Sequence, residues 1–411
     1  TKGSLEHLNK QLRKTPEEHL ADIRATLDYA ASQGLEANLY LEVWSGGMRD
    51  SPDYVRFLLD GLASAPVRRF MLPDTLGILP PADVEAYVGD LVRRYPGLHF
   101  DFHGHNDYGL ATANTLAAVR AGARGIHCTV NGLGERAGNT PLDEAVVAIH
   151  DFLGRRTSVN EGALCAVSHA VEIFSGRRVP VNKPISGQNV FTQTAGIHAD
   201  GDMKANLYAS RLAPERFGRS RQYALGKLSG RSNLDYNLEA LGIQLTPEQK
   251  KRVLARVVEL GDRKESITQE DLPYIISDVL EQPAERRFEL RSCVVVSATG
   301  VKPTATVKLA HRPDPGRPFA EYEESALGDG GYDALMNAIR KITSRLGFDC
   351  PALVDYQITI PATGQTDALV QCFITWKGKT TFVTRGVHSD QVLAAAEATE
   401  KMLNTASSVG L

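Results

Sequence analysis

Two histidines that are separated by a single residue could bind a metal ion. His103 and His105 open the run HGHND, residues 103–107, which directly follows a predicted strand from Leu98 to Phe102. Alternate residues of a strand point the same way, so both imidazoles should lie on one side. A His-x-His pair at a strand end is a good chelate for a divalent cation. The alternative interpretation is a pair of ordinary polar loop residues.

A second polar loop follows the next predicted strand, Gly125 to Val130. Residues 131–139 read NGLGERAGN. Three glycines in such a loop indicate that its backbone lies close to a ligand or to another backbone segment. Alternatively, Arg136 could simply pair with Glu135, and Asn139 could cap a turn. Because the two loops follow neighbouring strands, together they point to a metal or oxyanion site more specifically than either does alone.

The elements that position these loops repeat along the first part of the chain. Predicted strands begin near residues 39, 67, 98 and 125, at intervals of 28, 31 and 27 residues. This is the spacing of βα units, which build parallel sheets. Parallel α/β folds place their sites at the carboxyl ends of the strands. The absence of a G-x-G-x-x-G motif after any strand argues against dinucleotide binding.

The pattern changes twice beyond this repeat. After residue 155 mostly helices are expected, the last ones opening at Thr246 and Thr268, with a boundary at Gln282–Glu285. Beyond the boundary, five strands and two helices predict an α+β domain. The expected domains are therefore residues 1–155, 156–286 and 287–411. The strands are predicted at 288–296, 304–309, 356–360, 368–376 and 380–385, and the helices at 333–346 and 390–403.

Composition excludes several classes of function. A net charge of −3 gives no electrostatic reason to expect nucleic acid as a partner. No apolar run approaches the roughly 18 residues that a membrane-spanning helix needs. The five cysteines are scattered and form no C-x-x-C pair. Free thiols in a reducing cytoplasm are the expectation, with no membrane partner.

The two loops together resemble those of a family of acyl-CoA-dependent metalloenzymes. This family contains 2-isopropylmalate synthase, homocitrate synthase, citramalate synthase and hydroxymethylglutaryl-CoA lyase. Residues 288–411 resemble the leucine-sensing regulatory domain of the synthases, which the lyase lacks. Two positions depart from the synthase pattern, Leu228 and Gln193, where histidine is usual. The other matching segments are LEV at 41–43, LPDTLG at 72–77, AGIHADG at 195–201, LGKLSGR at 225–231 and TDA at 366–368.

The resemblance implies roles for nine residues. It implies a divalent-metal site for Mn²⁺, Mg²⁺ or Zn²⁺, substrate-binding residues, and residues for catalysis and proton transfer. Glu42 could instead be a buried carboxylate paired with a lysine or arginine, and Tyr208 could be a packing residue. The metal site would use His103, His105 and Asn139, the substrate would contact Thr75, Asn131 and Glu135, and catalysis would use Glu42, His198 and Tyr208.

The fold that the resemblance implies is part of a TIM barrel, from strand four or five to strand eight. Eight βα units need about 240 residues, and only some 155 precede the helical segment. We therefore expect an amino-terminally truncated barrel, without the family's first strand and its metal-ligand aspartate, and little turnover from this chain alone. A helical linker subdomain and an α+β regulatory domain should follow the barrel.

The implied reaction is the metal-dependent condensation of acetyl-CoA with 2-oxoisovalerate to 2-isopropylmalate and CoA, which opens leucine biosynthesis. A leucine-like feedback effector and a homodimer are implied as well. Homocitrate or citramalate synthase activity, with another 2-oxo acid, is one alternative. A non-catalytic amino-acid-binding protein is the alternative from another class. A metal titration separates the synthases from the amino-acid-binding protein, because a protein that only binds an amino acid needs no metal.

Overall fold

The computed structural model describes residues 1–262, 267–280, 286–314, 316–360 and 370–409. The chain divides into two compact units, Thr1–Phe191 with Ala209–Arg221 and Thr192–Tyr208 with Gln222–Leu411. The boundary predicted at 282–285 and the motif at 366–368 lie outside the described residues. Among the helices of the described residues, none is long and apolar enough to cross a bilayer.

The first unit is built on a parallel sheet whose four strands lie side by side in chain order. Barrels wind their strands in chain order, whereas doubly wound sheets reverse direction at a switch point. The predicted fold class, α/β with barrel-type winding, is confirmed. The strands are β1 (Ala37–Tyr40), β2 (Val67–Asp74), β3 (Phe100–Gly104) and β4 (Gly125–His127).

Eight helices accompany this sheet among the described residues of the first unit. The largest, α2, begins as predicted at Pro16, and Thr15 and Glu18 form its capping box. Short turns of other helix types occur at Leu8–Leu12, Val130–Gly132, Glu161–Ala163 and Pro214–Phe217. The helices are α1 (Leu5–His7), α2 (Pro16–Ser32), α3 (Trp44–Asp50), α4 (Pro52–Leu62), α5 (Pro81–Arg94), α6 (Ala111–Ala121), α7 (Leu142–Leu153) and α8 (Leu164–Ser175).

The two faces of the sheet differ in polarity. One face buries Phe70, Leu72, Phe100 and Phe102 in the main core of the unit, together with helix residues. On the other face, alternation places polar side chains such as those of His103 and His127, whose ring centroids are 5.7 Å apart. The sheet therefore combines an apolar packing face with a face that carries titratable groups.

The strand predicted to run from Leu39 to Trp44 is wrong at its end. Strand β1 ends at Tyr40, and Trp44 is the first residue of α3. Val43 lies between them in the left-handed region, with φ of 59°. A β-branched residue in that region is a true outlier. This backbone conformation is not extended, so the strand cannot continue through Val43.

The first residues of the chain continue the sheet beyond β1. Lys2 pairs in parallel with Glu42. The Gly3 amide donates to the Glu42 carbonyl at 2.6 Å, and the Glu42 amide donates to the Thr1 carbonyl at 2.8 Å. These bonds pair the backbone N–H and C=O groups of Glu42, just after β1, and bring the Lys2 side chain next to Glu42.

The second unit begins with a helical part. Strands β5 (Thr192–Gln193) and β6 (Gln222–Tyr223) pair in parallel. Apolar residues of three of its helices, among them Leu234, Val253 and Leu272, form one core cluster. The sequence predicted helical structure here. The helices are α9 (Gly196–Ala205), α10 (Arg231–Ala240), α11 (Pro247–Asp262) and α12 (Leu272–Leu280).

The remainder of the second unit consists of two successive groups of three antiparallel strands and one helix. The expected α+β architecture is confirmed, but the sequence analysis missed β9. The first group is β7 (Phe288–Val296), β8 (Thr304–His311), β9 (Ala320–Leu327) and α13 (Gly331–Arg345). The second group is β10 (Ala352–Thr359), β11 (Val370–Lys377), β12 (Thr381–His388) and α14 (Gln391–Val409).

Candidate active site

His103 and His105 converge at the carboxyl end of β3. Their Nε2 atoms are 3.1 Å apart, and their ring centroids are 4.9 Å apart. Two nitrogens bound at 2.0–2.1 Å to one cation would be separated by about 2.9–3.4 Å, depending on the angle at the metal. The separation of the two rings therefore suits a shared cation.

Both imidazoles are in the protonation state that metal binding requires. Burial, together with the neighbouring His105 and His127, lowers the pKa of His103 to about 4. The pKa of His105 is also lowered, first by burial and then by the Arg136 guanidinium. Neutral rings have a lone pair to give to a cation, and no proton must be displaced near pH 7.

Asn139 presents a carbonyl oxygen that has no partner in the described protein. Its backbone pairs with that of His105 in an antiparallel bridge, so the amide lies next to the histidine pair. The Asn139 Nδ2 donates to the Leu133 carbonyl at 2.9 Å, which fixes the amide, while the buried Oδ1 accepts no hydrogen bond. A buried acceptor without a partner is costly unless a further group binds it.

These atoms fit a divalent cation. Two imidazole nitrogens and one amide oxygen are ligands that Mn²⁺ or Zn²⁺ accepts, and water or substrate oxygens can complete the shell. No cluster of three or more His, Cys, Asp or Glu residues with metal-binding geometry occurs within the described ranges.

Backbone bonds and one ion pair hold the two site loops together. The Asn106 amide donates to the Gly138 carbonyl at 2.9 Å, and Thr140 donates to Gly104 at 3.1 Å. The Arg136 guanidinium forms a fork with both carboxylate oxygens of Asp107, at 2.7 and 2.9 Å. Planar two-point pairing of this kind fixes orientation as well as distance. The loop after β4 is thereby fixed to the loop after β3.

Glu135 takes little part in this arrangement. Its carboxylate is 3.7 Å from Arg136, and its side chain is 85% exposed. The pairing of Arg136 with Glu135, which was the alternative reading of this loop, is thus secondary to the pairing with Asp107.

Glycines are required where the loop folds back on itself. Gly138 has φ of 94°, and a Cβ atom there would be 2.0 Å from the Gly132 carbonyl oxygen. A Cβ atom at Gly134 would be 2.4 Å from Asn139 Nδ2. Only residues without a side chain allow this close approach. The glycines that the sequence singled out therefore bring the backbone against itself and against Asn139.

Thr75 follows the end of β2 and is poised to donate a hydrogen bond. Its Oγ1 accepts from the Val43 amide at 2.9 Å, and its carbonyl accepts from Arg136 at 2.9 Å. A hydroxyl that accepts one bond still has its proton to donate. The strained backbone of Val43 is held by this contact, and strain of this kind clusters at functional sites.

Glu42 forms an ion pair with Lys2. The Lys2 side chain is 10% exposed, whereas that of Glu42 is 47% exposed. The possibility that Glu42 is a paired carboxylate is therefore realised, although it is less buried than that reading supposed.

His198 and Tyr208 belong to the second unit, whereas the residues described above belong to the first. His198 lies on α9, and its ring centroid is 4.5 Å from that of Tyr208. The Tyr208 amide donates to the Asp202 carboxylate at 3.2 Å, which holds the segment after the helix. Within their unit the two rings form one exposed pair.

The sequence did not identify the partners in three contacts of the site. They are the Lys2–Glu42 pair, the Arg136–Asp107 fork and the bonding of Asn131 to Ser168. The fork had a usable signal, because an arginine and an aspartate lie in loops that follow adjacent strands. No sequence pattern indicated Ser168, since a single serine in an apolar helix carries no sign of its hydrogen-bond partner.

The fold and this site define an α/β protein of the TIM-barrel class with its polar groups at the carboxyl edge of the strands. Three family models match the chain: HMGL-like at residues 1–171, a homocitrate synthase post-HMGL domain-like model at 185–265, and the LeuA allosteric (dimerisation) domain at 266–407.

Curated relatives extend the match to most of the chain. A putative (R)-citramalate synthase of Methanopyrus kandleri is 37% identical over 88% of this chain and 69% of its own length. The (R)-citramalate synthase of Methanocaldococcus jannaschii is 34% identical over 97% and 79%, respectively. A 2-isopropylmalate synthase of Prochlorococcus marinus is 34% identical over 97% and 75%. The chain belongs to this family of acyl-CoA-condensing synthases.

Proposed function

We propose that this protein condenses acetyl-CoA with a small apolar 2-oxo acid at the metal site of its first unit. The observation that carries the proposal is the meeting of the two Nε2 atoms, 3.1 Å apart, together with the unpartnered Oδ1 of Asn139, whose backbone pairs with that of His105. The names of the relatives support the reaction class. A bound divalent cation would polarise the ketone of the 2-oxo acid and stabilise negative charge on its oxygen.

The acceptor is oriented by the residues around this site. His103, His105 and Asn139 would hold the cation, with Mn²⁺, Mg²⁺ and Zn²⁺ as candidates. The free hydroxyl proton of Thr75 would be donated to the acceptor carboxylate. The Arg136–Asp107 fork keeps the loop with Glu135 in place, so that this exposed carboxylate borders the substrate.

Proton transfer is the proposed role of His198. Condensation requires removal of a methyl proton from acetyl-CoA, and a neutral imidazole suits that task near pH 7. Tyr208, whose ring contacts that of His198, would orient the imidazole or share the proton. Glu42, with one oxygen free of Lys2, would contact the acceptor.

Two acceptors have specific support. The motif resemblance favours 2-oxoisovalerate, which would give 2-isopropylmalate and place the reaction in leucine biosynthesis. The relatives named (R)-citramalate synthase favour pyruvate, whose condensation with acetyl-CoA gives citramalate. The two acids differ by two methyl groups, and one methylene in an apolar pocket changes selectivity by about 10–200-fold. A direct competition between the two acids therefore gives a clear preference.

Regulation is the proposed role of the final part of the second unit. The match of residues 266–407 to the LeuA allosteric (dimerisation) domain supports a homodimer with an amino-acid effector. The glycine-rich segment 328–331 leads into α13, which begins at Gly331, and a Cβ atom at Gly328 would be 2.3 Å from the Ala334 amide. Titration calorimetry of the full chain with leucine, isoleucine and valine tests this role. No heat at millimolar concentrations would exclude it.

Two measurements test the catalytic proposal. Calorimetry should show that pyruvate or 2-oxoisovalerate binds only when Mn²⁺ is present, and a thiol reagent should detect CoA release from acetyl-CoA. A protein that binds amino acids without catalysis would need no metal for its ligand. If neither acid binds with Mn²⁺ and no thiol appears with either, the proposal is wrong.

A further inference from the structure

Asn131 lies in the loop that follows β4, and its side chain is bonded to helix α8. Its backbone is in the left-handed region, with φ of 59°, which asparagine tolerates better than most residues. Its Nδ2 donates to the Ser168 carbonyl at 2.9 Å, and its Oδ1 accepts from the Ser168 hydroxyl. Both ends of the amide therefore bind one residue of α8.

The peptides that follow Asn131 hold Asn139. The Gly132 carbonyl accepts from the Asn139 backbone amide at 2.9 Å. The Leu133 carbonyl accepts from Asn139 Nδ2, also at 2.9 Å. Because both carbonyls lie within two residues of Asn131, a rotation of its backbone would move both of them. The position of the Asn139 Oδ1 atom thus depends on the backbone of Asn131.

Helix α8 is a firm anchor for this contact. Ser168 is only 3% exposed, and Leu164, one turn earlier, lies in a core cluster with Val147 and Phe217. Just before the helix, Glu161 binds Arg216 and the buried His150. The anchor therefore rests on apolar packing and on an ion-paired network.

We infer that Asn131 and Ser168 are positioning residues, which set the loop so that the Asn139 oxygen faces the metal. The inference rests on the proposed function for the metal itself. Resemblance had placed Asn131 among the substrate-binding residues, but one N–H and the carbonyl oxygen of its amide bind Ser168, which directs the side chain towards α8. Partners behind a metal ligand typically change metal affinity by about 10–100-fold when they are removed.

Four variants of the full chain separate side-chain positioning from backbone preference. Asn131→Gly keeps the left-handed backbone accessible but removes both bonds to Ser168. Ser168→Ala removes the hydroxyl bond, and Ser168→Thr restores a hydroxyl at the same place. Ser175→Ala is the control, since it removes a hydroxyl of the same helix that lies away from the loop.

Two readouts apply to each variant. Electron paramagnetic resonance measures free Mn²⁺ and so gives its dissociation constant, and hydrogen exchange with mass spectrometry follows residues 129–141. Asn131→Gly should raise the dissociation constant about tenfold or more and speed exchange in the loop. Ser168→Ala should do so less, while Ser168→Thr and Ser175→Ala should match the wild type. Circular dichroism confirms that the variants are folded.

The results that overturn the inference are specific. Wild-type exchange in Asn131→Gly overturns it whether or not Mn²⁺ binds. Faster exchange with unchanged Mn²⁺ affinity also overturns it, because the loop would then not transmit its position to the site. If the wild-type chain binds no Mn²⁺, the proposed function fails instead, and the exchange rates alone decide whether Ser168 holds the loop.

Discussion

Two imidazoles at a strand end meet because of the geometry of the strand itself. Alternation along β3 places His103 and His105 on one side, and burial keeps both rings neutral. The third group, Asn139, lies in the loop after the neighbouring strand, and its side-chain oxygen is buried without a hydrogen-bond partner. The site therefore combines one contribution from regular structure with one from an irregular loop.

Removing one imidazole tests the metal site at its centre. We expect His103→Ala to raise the Mn²⁺ dissociation constant by at least about 100-fold and to abolish Mn²⁺-dependent binding of the 2-oxo acid, since a lost ligand costs more than a lost supporting partner. His169→Ala is the control, because that histidine is partly exposed and pairs with Glu172 on α8. Equal Mn²⁺ affinity in the two variants would contradict the assignment.

A single substitution can also test whether the Thr75 hydroxyl binds the 2-oxo acid. Thr75→Val should weaken binding of the 2-oxo acid by about 10–100-fold, because a hydrogen bond to a charged group contributes about 1.5–3 kcal/mol. Thr75→Ser keeps the hydroxyl that the Val43 amide needs and should stay near the wild type. Calorimetry with Mn²⁺ present measures both. If Val and Ser bind the acid equally, the hydroxyl has no role.

At this scale, the sequence predicts residues that share a strand better than residues that share a loop. The two histidines follow from alternation alone. From the sequence, Glu135 is a candidate partner of Arg136 because the two are adjacent. In the structure Arg136 lies closer to Asp107. Which of two carboxylates an arginine takes depends on how two loops dock. That docking is set by left-handed residues such as Asn131 and Arg136, which no periodicity reveals.

Among the elements, α8 connects the site to the segment that returns to the first unit. Arg216, on that returning segment, forms a fork with Glu161 and also binds Asp151 at the end of α7. The Arg216 guanidinium, helped by His150, lowers the pKa of Glu161 to about 2. Because a carboxyl group with a lowered pKa stabilises the fold only when ionised, the network makes this unit sensitive to acid.

The sign of this sensitivity can be worked out for Glu161. Between pH 4.5 and about 2 the unfolded chain binds a proton that the folded chain does not, so the free energy of unfolding falls as the pH falls through this range. Glu161→Gln should cost about 1–3 kcal/mol above pH 4.5. The difference from the wild type should vanish towards pH 2. Urea unfolding followed by Trp44 fluorescence, in a Trp376→Phe background, measures it. A difference that is independent of pH would contradict the assignment.

Most elements followed from periodicity and end signals, and the exceptions have physical reasons. The capping box at Thr15 predicted the start of α2 correctly. Strand β9, AEYEESAL, was missed because glutamate is rare in strands, yet Glu321 and Glu323 each lie 3.7 Å from Lys308 on the adjacent strand. Cross-strand charge pairs of this kind depend on the partner strand, so a local pattern does not show them.

Over the whole molecule, the chain forms two units that each have their own core and one of the two tryptophans. Trp44 is fully buried in the first unit, and Trp376 is fully buried in the second. Chains with more than one core often unfold in more than one step, and a single midpoint then has no clear meaning. Substituting either tryptophan leaves a fluorescence signal that reports on one unit only.

A carboxyl group of the second unit should give it the opposite dependence on pH. Burial raises the pKa of Glu270 to about 7, while Lys401 pairs instead with the adjacent Asp271. Between pH 4.5 and about 7 the folded unit therefore keeps a proton that the unfolded chain has released. The contribution of Glu270 to stability is then fully present below pH 4.5 and is lost as the pH rises towards 7.

This dependence can be measured with the two tryptophans. Urea unfolding in a Trp44→Phe background, read through Trp376, should show a midpoint that falls as the pH is raised from 4.5 to about 7, and Glu270→Gln should flatten that slope. Read through Trp44, the first unit should be indifferent to Glu270→Gln over the same range, because Glu270 belongs to the second unit. A slope that survives Glu270→Gln would assign the dependence to another group. An equal response of both tryptophans to the substitution would show that the units do not unfold independently.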